Sequence, residues 1–151
     1  MKTRREALKQ GATLAALLAS TGLYPLQAHA FTKAAFDAKS VADAVKAYGG
    51  GAPVESNQVT MTGPDIAENG AVVPMVVATT LPNVKYLLLM VEKNPSALVA
   101  KFDVTDAVEP SFTTRAKMAQ SSDVYAVAIT NDGKAFFAKK EVKVTLGGCG
   151  G

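Results

Sequence analysis

The stretch DVYAVAITNDGKAFFAKKEVKVTL, residues 123–146, decides the fold. It holds two strand-like runs, Asp123–Thr130 and Ala135–Leu146, separated by Asn131-Asp132-Gly133. Asp-Gly between two such runs is a strong signal for a tight β-hairpin turn. In the second run apolar and polar residues alternate, which predicts a strand with one face toward a core and one toward water. We therefore predict an antiparallel hairpin at this end of the domain.

Five further runs also have a strand-like composition, and turn residues separate them. Seven short strands at this spacing are typical of an immunoglobulin-like antiparallel β-sandwich, so the predicted fold class is all-β. The sequence has no tryptophan and one cysteine, so the Cys–Trp–Cys signature of antibody domains is absent and only the architecture is implied. The five runs are Gln58–Thr62, Ala71–Thr79, Val84–Glu92, Ala97–Val104 and Phe112–Met118.

Ahead of the strands, Phe31–Tyr48 has the apolar spacing of an amphipathic helix. The run ends at Gly49-Gly50-Gly51, and glycine is common just past a helix terminus. We predict one N-terminal helix that packs on the edge or end of the sandwich.

Three of the predicted strands are apolar on both faces: Val72–Ala78, Val84–Val91 and Val124–Ile129. A two-layer sandwich buries only one face of each sheet, so the second face needs the helix, another chain, or both. One helix covers about two strands, which favours a protein interface that includes residues of Tyr86–Val91 or Val72–Ala78. Helix cover with tolerated surface apolar residues is the alternative.

The first 30 residues have the three parts of a secretory signal peptide. A basic start, with Lys2, Arg4, Arg5 and Lys9, precedes a mostly apolar run over Gly11–Leu23, and Ala28-His29-Ala30 is an A-x-A cleavage site. The apolar run is shorter than the roughly 20 residues that a spanning helix needs, which disfavours a membrane anchor. We predict cleavage after Ala30.

The segment Thr3–Lys9 resembles the twin-arginine export motif through Arg4 and Arg5, with Ala7 where phenylalanine is more common. The general secretory route is the alternative. Either route predicts a periplasmic mature protein that is not anchored in the membrane.

The mature chain carries no strong charge and no imidazole. Removal of the leader leaves twelve basic and twelve acidic residues (16 − 4 and 13 − 1), so there is no electrostatic case for binding nucleic acid or anionic membranes. The one histidine, His29, lies in the leader. Zinc fingers, histidine-ligated haem and Ser-His-Asp or Cys-His sites are therefore excluded, and we expect no metal and no cofactor.

The sole cysteine lies in a glycine tail, Gly147-Gly148-Cys149-Gly150-Gly151. Five residues after Leu146 reach at most about 16–18 Å, and glycines make the peptide thin enough to enter a narrow channel. A free thiol has a pKa near 8.5, so Cys149 is not activated by itself. This favours a covalent carrier of substrate over a self-sufficient enzyme; a frayed, functionless end is the alternative.

The tail matches the GGCGG motif of the SoxY family, the sulfur carriers of bacterial thiosulfate oxidation, and the resemblance covers the whole chain. The stretch GPDIAENGAVVP, Gly63–Pro74, also resembles that family's internal signature. The resemblance implies that Cys149 holds thiosulfate-derived sulfur and that its four flanking glycines form a swinging arm. We assign no chemistry to Asp65 or Glu68, because turn formation and strand entry explain this loop.

The resemblance also implies partners. These are a SoxZ-like β-sandwich subunit in a heterodimer, and a c-type cytochrome sulfur transferase, a thiosulfohydrolase and a sulfur dehydrogenase of the same complex. The chain then divides into a twin-arginine-type signal peptide (1–30), a helix and glycine linker (31–51), a β-sandwich carrier domain (52–146) and the swinging arm (147–151).

Two other functions use the same thiol. An exported scaffold or adhesion domain would use Cys149 for an intermolecular disulfide, since one cysteine cannot form an internal one. A thiol oxidoreductase usually needs a second, resolving cysteine, which the chain lacks.

Overall fold

The computed structural model describes residues 33–145. The signal peptide with Arg4, Arg5 and Ala30, and the arm with Cys149, lie outside the described residues. The predictions made on them, including the division into domains, remain predictions.

Strands dominate the described chain and form two sheets. The larger sheet has the order β1-β9-β8-β5-β6, with β3 also paired to β9, and the smaller has the order β2-β4-β7. The predicted all-β, immunoglobulin-like sandwich is confirmed. The elements are α1 (Lys33–Asp37), α2 (Val41–Ala47), β1 (Val54–Glu55), β2 (Val59–Thr62), β3 (Ile66–Ala67), β4 (Val73–Thr79), β5 (Val84–Val91), β6 (Leu98–Asp103), β7 (Ser111–Ala116), β8 (Ser122–Thr130) and β9 (Ala135–Val144).

The predicted hairpin joins β8 and β9, which pair in antiparallel register from Ile129 opposite Ala135 to Ser122 opposite Val142. Gly133 has a φ of 81°, a left-handed conformation that glycine adopts without a steric cost. The hairpin extends β9 from this turn toward the opposite end of the sandwich. It thereby determines where the described part of the chain ends.

The main core lies between the two sheets. Alternate residues of β4 and β5 point into it, and their side chains are fully buried. Burial of such side chains contributes roughly 1.5–3 kcal/mol each, which makes this layer the main source of stability. The central residues are Met75, Val77, Leu87, Leu89 and Val91.

The N-terminal segment forms two short helices instead of the single predicted one. Ser40 has extended backbone angles (φ −127°, ψ 156°), and its side chain accepts a hydrogen bond from the Asp43 amide at 3.1 Å. Serine at this position caps a new helix and interrupts the old one. The break lets both helices lie on the same sheet.

The helices cover the outer face of the larger sheet, not its edge or end as predicted. Val45 is fully buried in a second apolar cluster with Leu88 and Met90 of β5 and Val127 and Ile129 of β8. The two helices therefore cover the second apolar face of two of the three doubly apolar strands, β5 and β8. The predicted interface over Tyr86–Val91 is wrong for Leu88 and Met90, which the chain itself buries.

The third doubly apolar strand, β4, lies in the smaller sheet. Pro74 is exposed, Val76 and Ala78 are half-buried, and these three residues alternate with the core residues of β4. Exposed Thr60 and Thr62 flank them on β2, opposite Ala78 and Val76. No described helix covers this face. Nor is any described helix long and apolar enough to cross a membrane.

Candidate functional site

The described part of the predicted site is the root of the arm. Strand β9 ends at Val144, and Thr145 is the last described residue, four positions before Cys149. The arm residues Gly147, Gly148, Cys149, Gly150 and Gly151 themselves lie outside the described residues. What the structure describes is how the chain is held where the arm begins.

One side of the root is held by residues 65–70, which we call the clamp. Within it β3 pairs in parallel with the end of β9, Ile66 opposite Lys143 and Ala67 opposite Val144. The Lys143 amide donates to the Asp65 carbonyl at 3.0 Å, and the Thr145 amide donates to the Ala67 carbonyl at 3.1 Å. In a parallel strand pair, every second residue of a strand donates its amide to the partner, as Lys143 and Thr145 do here. The clamp therefore occupies the edge of β9 that faces away from β8.

The other side of the root is held by a side chain. The ladder between β8 and β9 ends at Ser122 opposite Val142. Beyond it, the Val144 amide donates to Oγ of Ser121 at 2.9 Å. The amides of residues 143, 144 and 145 thus all have acceptors, two from the clamp and one from Ser121.

A lysine of β9 ties the start of the clamp to the strand. Nζ of Lys140 lies 2.8 Å from Oδ1 of Asp65 and donates to the Gly63 carbonyl at 2.6 Å. The hydrogen bond and charge of Lys140 lower the pKa of Asp65. Because the Asp65 side chain is 87% exposed, solvent screens this pair and it adds little stability.

The far end of the clamp fits closely because Gly70 has no side chain. A Cβ at this position would lie 2.5 Å from the Met118 carbonyl oxygen and 2.8 Å from Cγ1 of Val144. The Gly70 carbonyl also accepts a hydrogen bond from the Met118 amide at 2.7 Å. Oδ1 of Asn69 accepts from the Ala71 amide at 2.9 Å, the Asx turn that brings the chain back toward β4.

The expectation that this loop serves turn formation holds for Asn69 and Gly70, and sequence reasoning missed its contact with the arm root. Two-residue strands such as β3 carry no periodicity, and no local pattern indicates that the Ser121 side chain meets β9. The available signal for a close contact was Gly70, which follows Asn69 within the segment that resembles a family signature.

Two of the three lysines of β9 are held by carboxylates. Lys140 pairs with Asp65, and Nζ of Lys139 lies 3.1 Å from Oδ2 of Asp123. The hydrogen bond to Asp123 raises the pKa of Lys139. Among the described residues, no group of three or more histidine, cysteine, aspartate or glutamate side chains could hold a metal ion.

Comparison with known proteins gives both a family and a fold. The model of the family described as "Sulfur oxidation protein SoxY" matches residues 44–149, a stretch that ends on Cys149. The solved structure of the sulfur carrier protein SoxY from Chlorobium limicola f thiosulfatophilum is similar, with 38% sequence identity and a TM-score of 0.61. The match covers 69% of this chain and 94% of that one. The chain has no significant match among curated proteins.

A more distant likeness concerns the fold alone. A superoxide reductase (neelaredoxin) from Ignicoccus hospitalis has 20% identity and a TM-score of 0.52, over 59% of this chain and 81% of that one. At this identity, the likeness says nothing about activity.

Proposed function

The chain belongs to the SoxY family of sulfur oxidation proteins, and from this premise we propose that it is an exported carrier that holds thiosulfate-derived sulfur on Cys149. The observation that carries the proposal is the family match over residues 44–149, which extends through the arm root to the only cysteine of the chain. The described domain brings β9 to a held end four residues before that thiol.

The proposed loading step is an oxidation. The Cys149 thiol and thiosulfate form a sulfur–sulfur bond and give an S-thiosulfonate, with release of one proton and two electrons. The electrons go to a c-type cytochrome of the partner enzyme, the acceptor that the family resemblance implies. Water then cleaves the terminal sulfur–sulfur bond of the thiosulfonate, which releases sulfate with a proton and leaves a persulfide on Cys149. Further partner enzymes oxidise or remove that sulfur.

The chain's own contribution is binding and presentation, not catalysis. An unassisted thiol is only a few per cent ionised at neutral pH, and Lys139 and Lys140 are engaged by Asp123 and Asp65. The third lysine of β9, Lys143, lies six residues before Cys149 in the sequence. Activation then comes from the site that the arm enters. The narrow arm lets successive enzymes reach the same sulfur atom while the sandwich stays outside.

The proposed stable partner is a SoxZ-like β-sandwich subunit. The outer face of the smaller sheet suits it, because exposed Pro74 and half-buried Val76 and Ala78 form an apolar strip that no described helix covers. Export by the twin-arginine route would carry the folded pair to the periplasm, since that route moves folded proteins. An N-terminal sequence of FTKAAF in the periplasmic protein would support cleavage after Ala30.

Intact mass spectrometry of the native protein tests the carrier function. After incubation with thiosulfate and the partner enzymes, the wild-type chain should gain one S₂O₃ group, and treatment with the hydrolase should leave one sulfur atom. Cys149→Ser should gain neither and should support no turnover, while its folding is unchanged. A chain that is found only as a stable Cys149-linked homodimer would instead support the scaffold function.

A further inference from the structure

We propose that the clamp and Ser121 set the free length and the direction of the arm by fixing the point at which it begins. The inference rests on the proposed function, in which Cys149 must enter the sites of several enzymes. It assigns a positioning role to Ser121, Gly70 and β3, which bind no sulfur themselves.

The first step is where the strand would end without these contacts. The ladder with β8 stops at Val142, and the backbone of residues 143–145 is hydrogen-bonded only to the clamp and to Ser121 among the described residues. The half-buried Val144 side chain also packs against the main core, so opening must release that contact as well. If both are lost, the free tail starts after Val142. If both are present, it starts after Thr145.

The second step is the length of chain that this difference adds. A fully extended chain spans about 3.3–3.6 Å per residue. Cys149 therefore reaches at most about 13–14 Å from a root at Thr145, and about 23–25 Å from a root at Val142. Opening the clamp would add about 10 Å to the free length of the tail. The outer limit straight along β9 would not change, because residues up to Val144 are already extended, but Cys149 could then turn sideways and back along the strand.

The third step is that the clamp contributes little to the core. Ile66 of β3 is 58% exposed, and Val72, just beyond the clamp, is 49% exposed. Only Ala67 of β3 joins the core cluster. The clamp is held mainly by backbone hydrogen bonds and by the exposed Asp65–Lys140 pair. A segment of this kind opens locally at a lower free energy than the core, so its placement matters for the tail more than for the fold.

A shorter free tail also raises the local concentration of the Cys149 thiol at the entrance of a partner enzyme. For a flexible tether the effective concentration falls roughly as the −3/2 power of its length, so lengthening it from four to seven residues lowers it about twofold. Misorientation at the entered site adds to that loss. Loading by an enzyme should therefore be slower when the clamp is open, whereas reaction with a small free reagent should not.

The first test measures the range of distances between Cys149 and the body of the domain. Spin labels on Cys149 and on a cysteine introduced by Glu55→Cys, an exposed position paired with the early part of β9, report the distance between arm and body. In Gly70→Val with Ser121→Ala the distance distribution should broaden and its short-distance limit should move inward by about 10 Å, because the longer free tail can turn back along β9. Gly51→Ala is the matched control, since a Cβ there lies 3.6 Å from the nearest atom, an ordinary contact. An unchanged short-distance limit in the folded double variant would overturn the proposal.

The second test measures how the length of the free tail affects the rate of enzymatic loading. Insertion of Gly-Ser-Gly after Thr145 lengthens the arm with the clamp intact, and it should slow enzymatic loading by at least about twofold, as the double variant does. Iodoacetamide should label all of these proteins at the wild-type rate. A slow insertion variant beside a fully active clamp variant would also overturn the proposal. Should Gly70→Val fail to fold, Ser121→Ala alone is compared in the same loading and labelling assays, and hydrogen exchange at the Val144 amide checks that the root has loosened. Failure of the carrier function would appear separately, as turnover that survives Cys149→Ser.

Discussion

Oγ of Ser121 lies 2.9 Å from the backbone nitrogen of Val144 and accepts its hydrogen bond, one residue before β8 begins. The same hydroxyl lies 3.5 Å from the Val144 carbonyl oxygen, so one side chain stands in for a rung of the β-ladder. A residue in a turn thus extends the paired part of β9 toward the tail.

Ser121→Ala should loosen the arm root without unfolding the domain. Removing one partner of a partly buried hydrogen bond costs about 1 kcal/mol, and the cost should be local. Hydrogen exchange at the Val144 amide should accelerate, while the amides of Leu87 and Leu89 in the core keep their protection. Ser121→Thr retains a hydroxyl and should restore slow exchange at Val144. Equal acceleration in both variants would show that the hydroxyl is not the acceptor that matters.

The hairpin turn at the other end of β9 should give a defined acid titration. A hydrogen bond from Lys134, and a second from Thr130, lower the pKa of Asp132 from 3.8 to about 2. A carboxyl group whose pKa is lower in the folded state stabilises that state above its unfolded pKa. The contribution is lost as the pH falls through the folded pKa. The window is therefore about pH 4 down to about pH 2.

Lys134→Ala tests this assignment by nuclear magnetic resonance titration of Asp132. Its midpoint should move up toward the ordinary value, because the largest cause of the shift is removed. Lys139→Ala is the matched control, since Lys139 pairs with Asp123 and not with Asp132. A midpoint that stays near 2 in Lys134→Ala would contradict the assignment.

The long strands could be predicted because their signals are local. Alternation and turn residues located all seven of them, and Asp132-Gly133 located the hairpin. The two-residue strands β1 and β3 could not be found, since pairing with β9 defines them and no pattern in residues 54–55 or 66–67 does. The arm motif around Cys149 was evident from the sequence, but its anchorage was not, because Ser121 and Gly70 meet β9 only in the folded chain.

The same limit applies to the doubly apolar strands. Leu88 and Val76 occupy equivalent positions in the sequence pattern, each on the second face of an apolar strand. Leu88 is fully buried beneath the helices, whereas Val76 is half-buried on the smaller sheet. The packing of the two helices makes the difference, since they cover β5 and β8 and no described helix lies on the smaller sheet.

Charge substitutions at these two positions should therefore have opposite consequences. Leu88→Asp should unfold the domain, because an unpaired carboxylate cannot be buried among apolar side chains. Val76→Asp should leave the circular dichroism spectrum unchanged and weaken binding of the SoxZ-like partner. Val54→Asp, at a 60% exposed valine of the larger sheet, controls for added charge. If folded Val76→Asp binds the partner as well as Val54→Asp does, the interface lies on another surface.

The glycines beside Cys149 should matter for passage and not for thiol chemistry. Gly148→Val or Gly150→Val adds a branched side chain and restricts the backbone, yet introduces no charge that would change the thiol pKa. Iodoacetamide, a small free reagent, should therefore label Cys149 at close to the wild-type rate in both variants. Loading by the enzyme complex should fall steeply, because a bulkier arm must pass the channel wall and a 1 Å misplacement can cost about a hundredfold in rate.

The two assays together separate the explanations. Equal losses in both would mean that the glycines act on the reactivity of the thiol. No loss in either would mean that the arm enters no narrow channel, and the swinging-arm hypothesis would be wrong. A loss in enzymatic loading alone would place the steric limit at the partner's entrance. Combined with the clamp variants, it would then show that the arm must be both thin at Cys149 and fixed at Thr145.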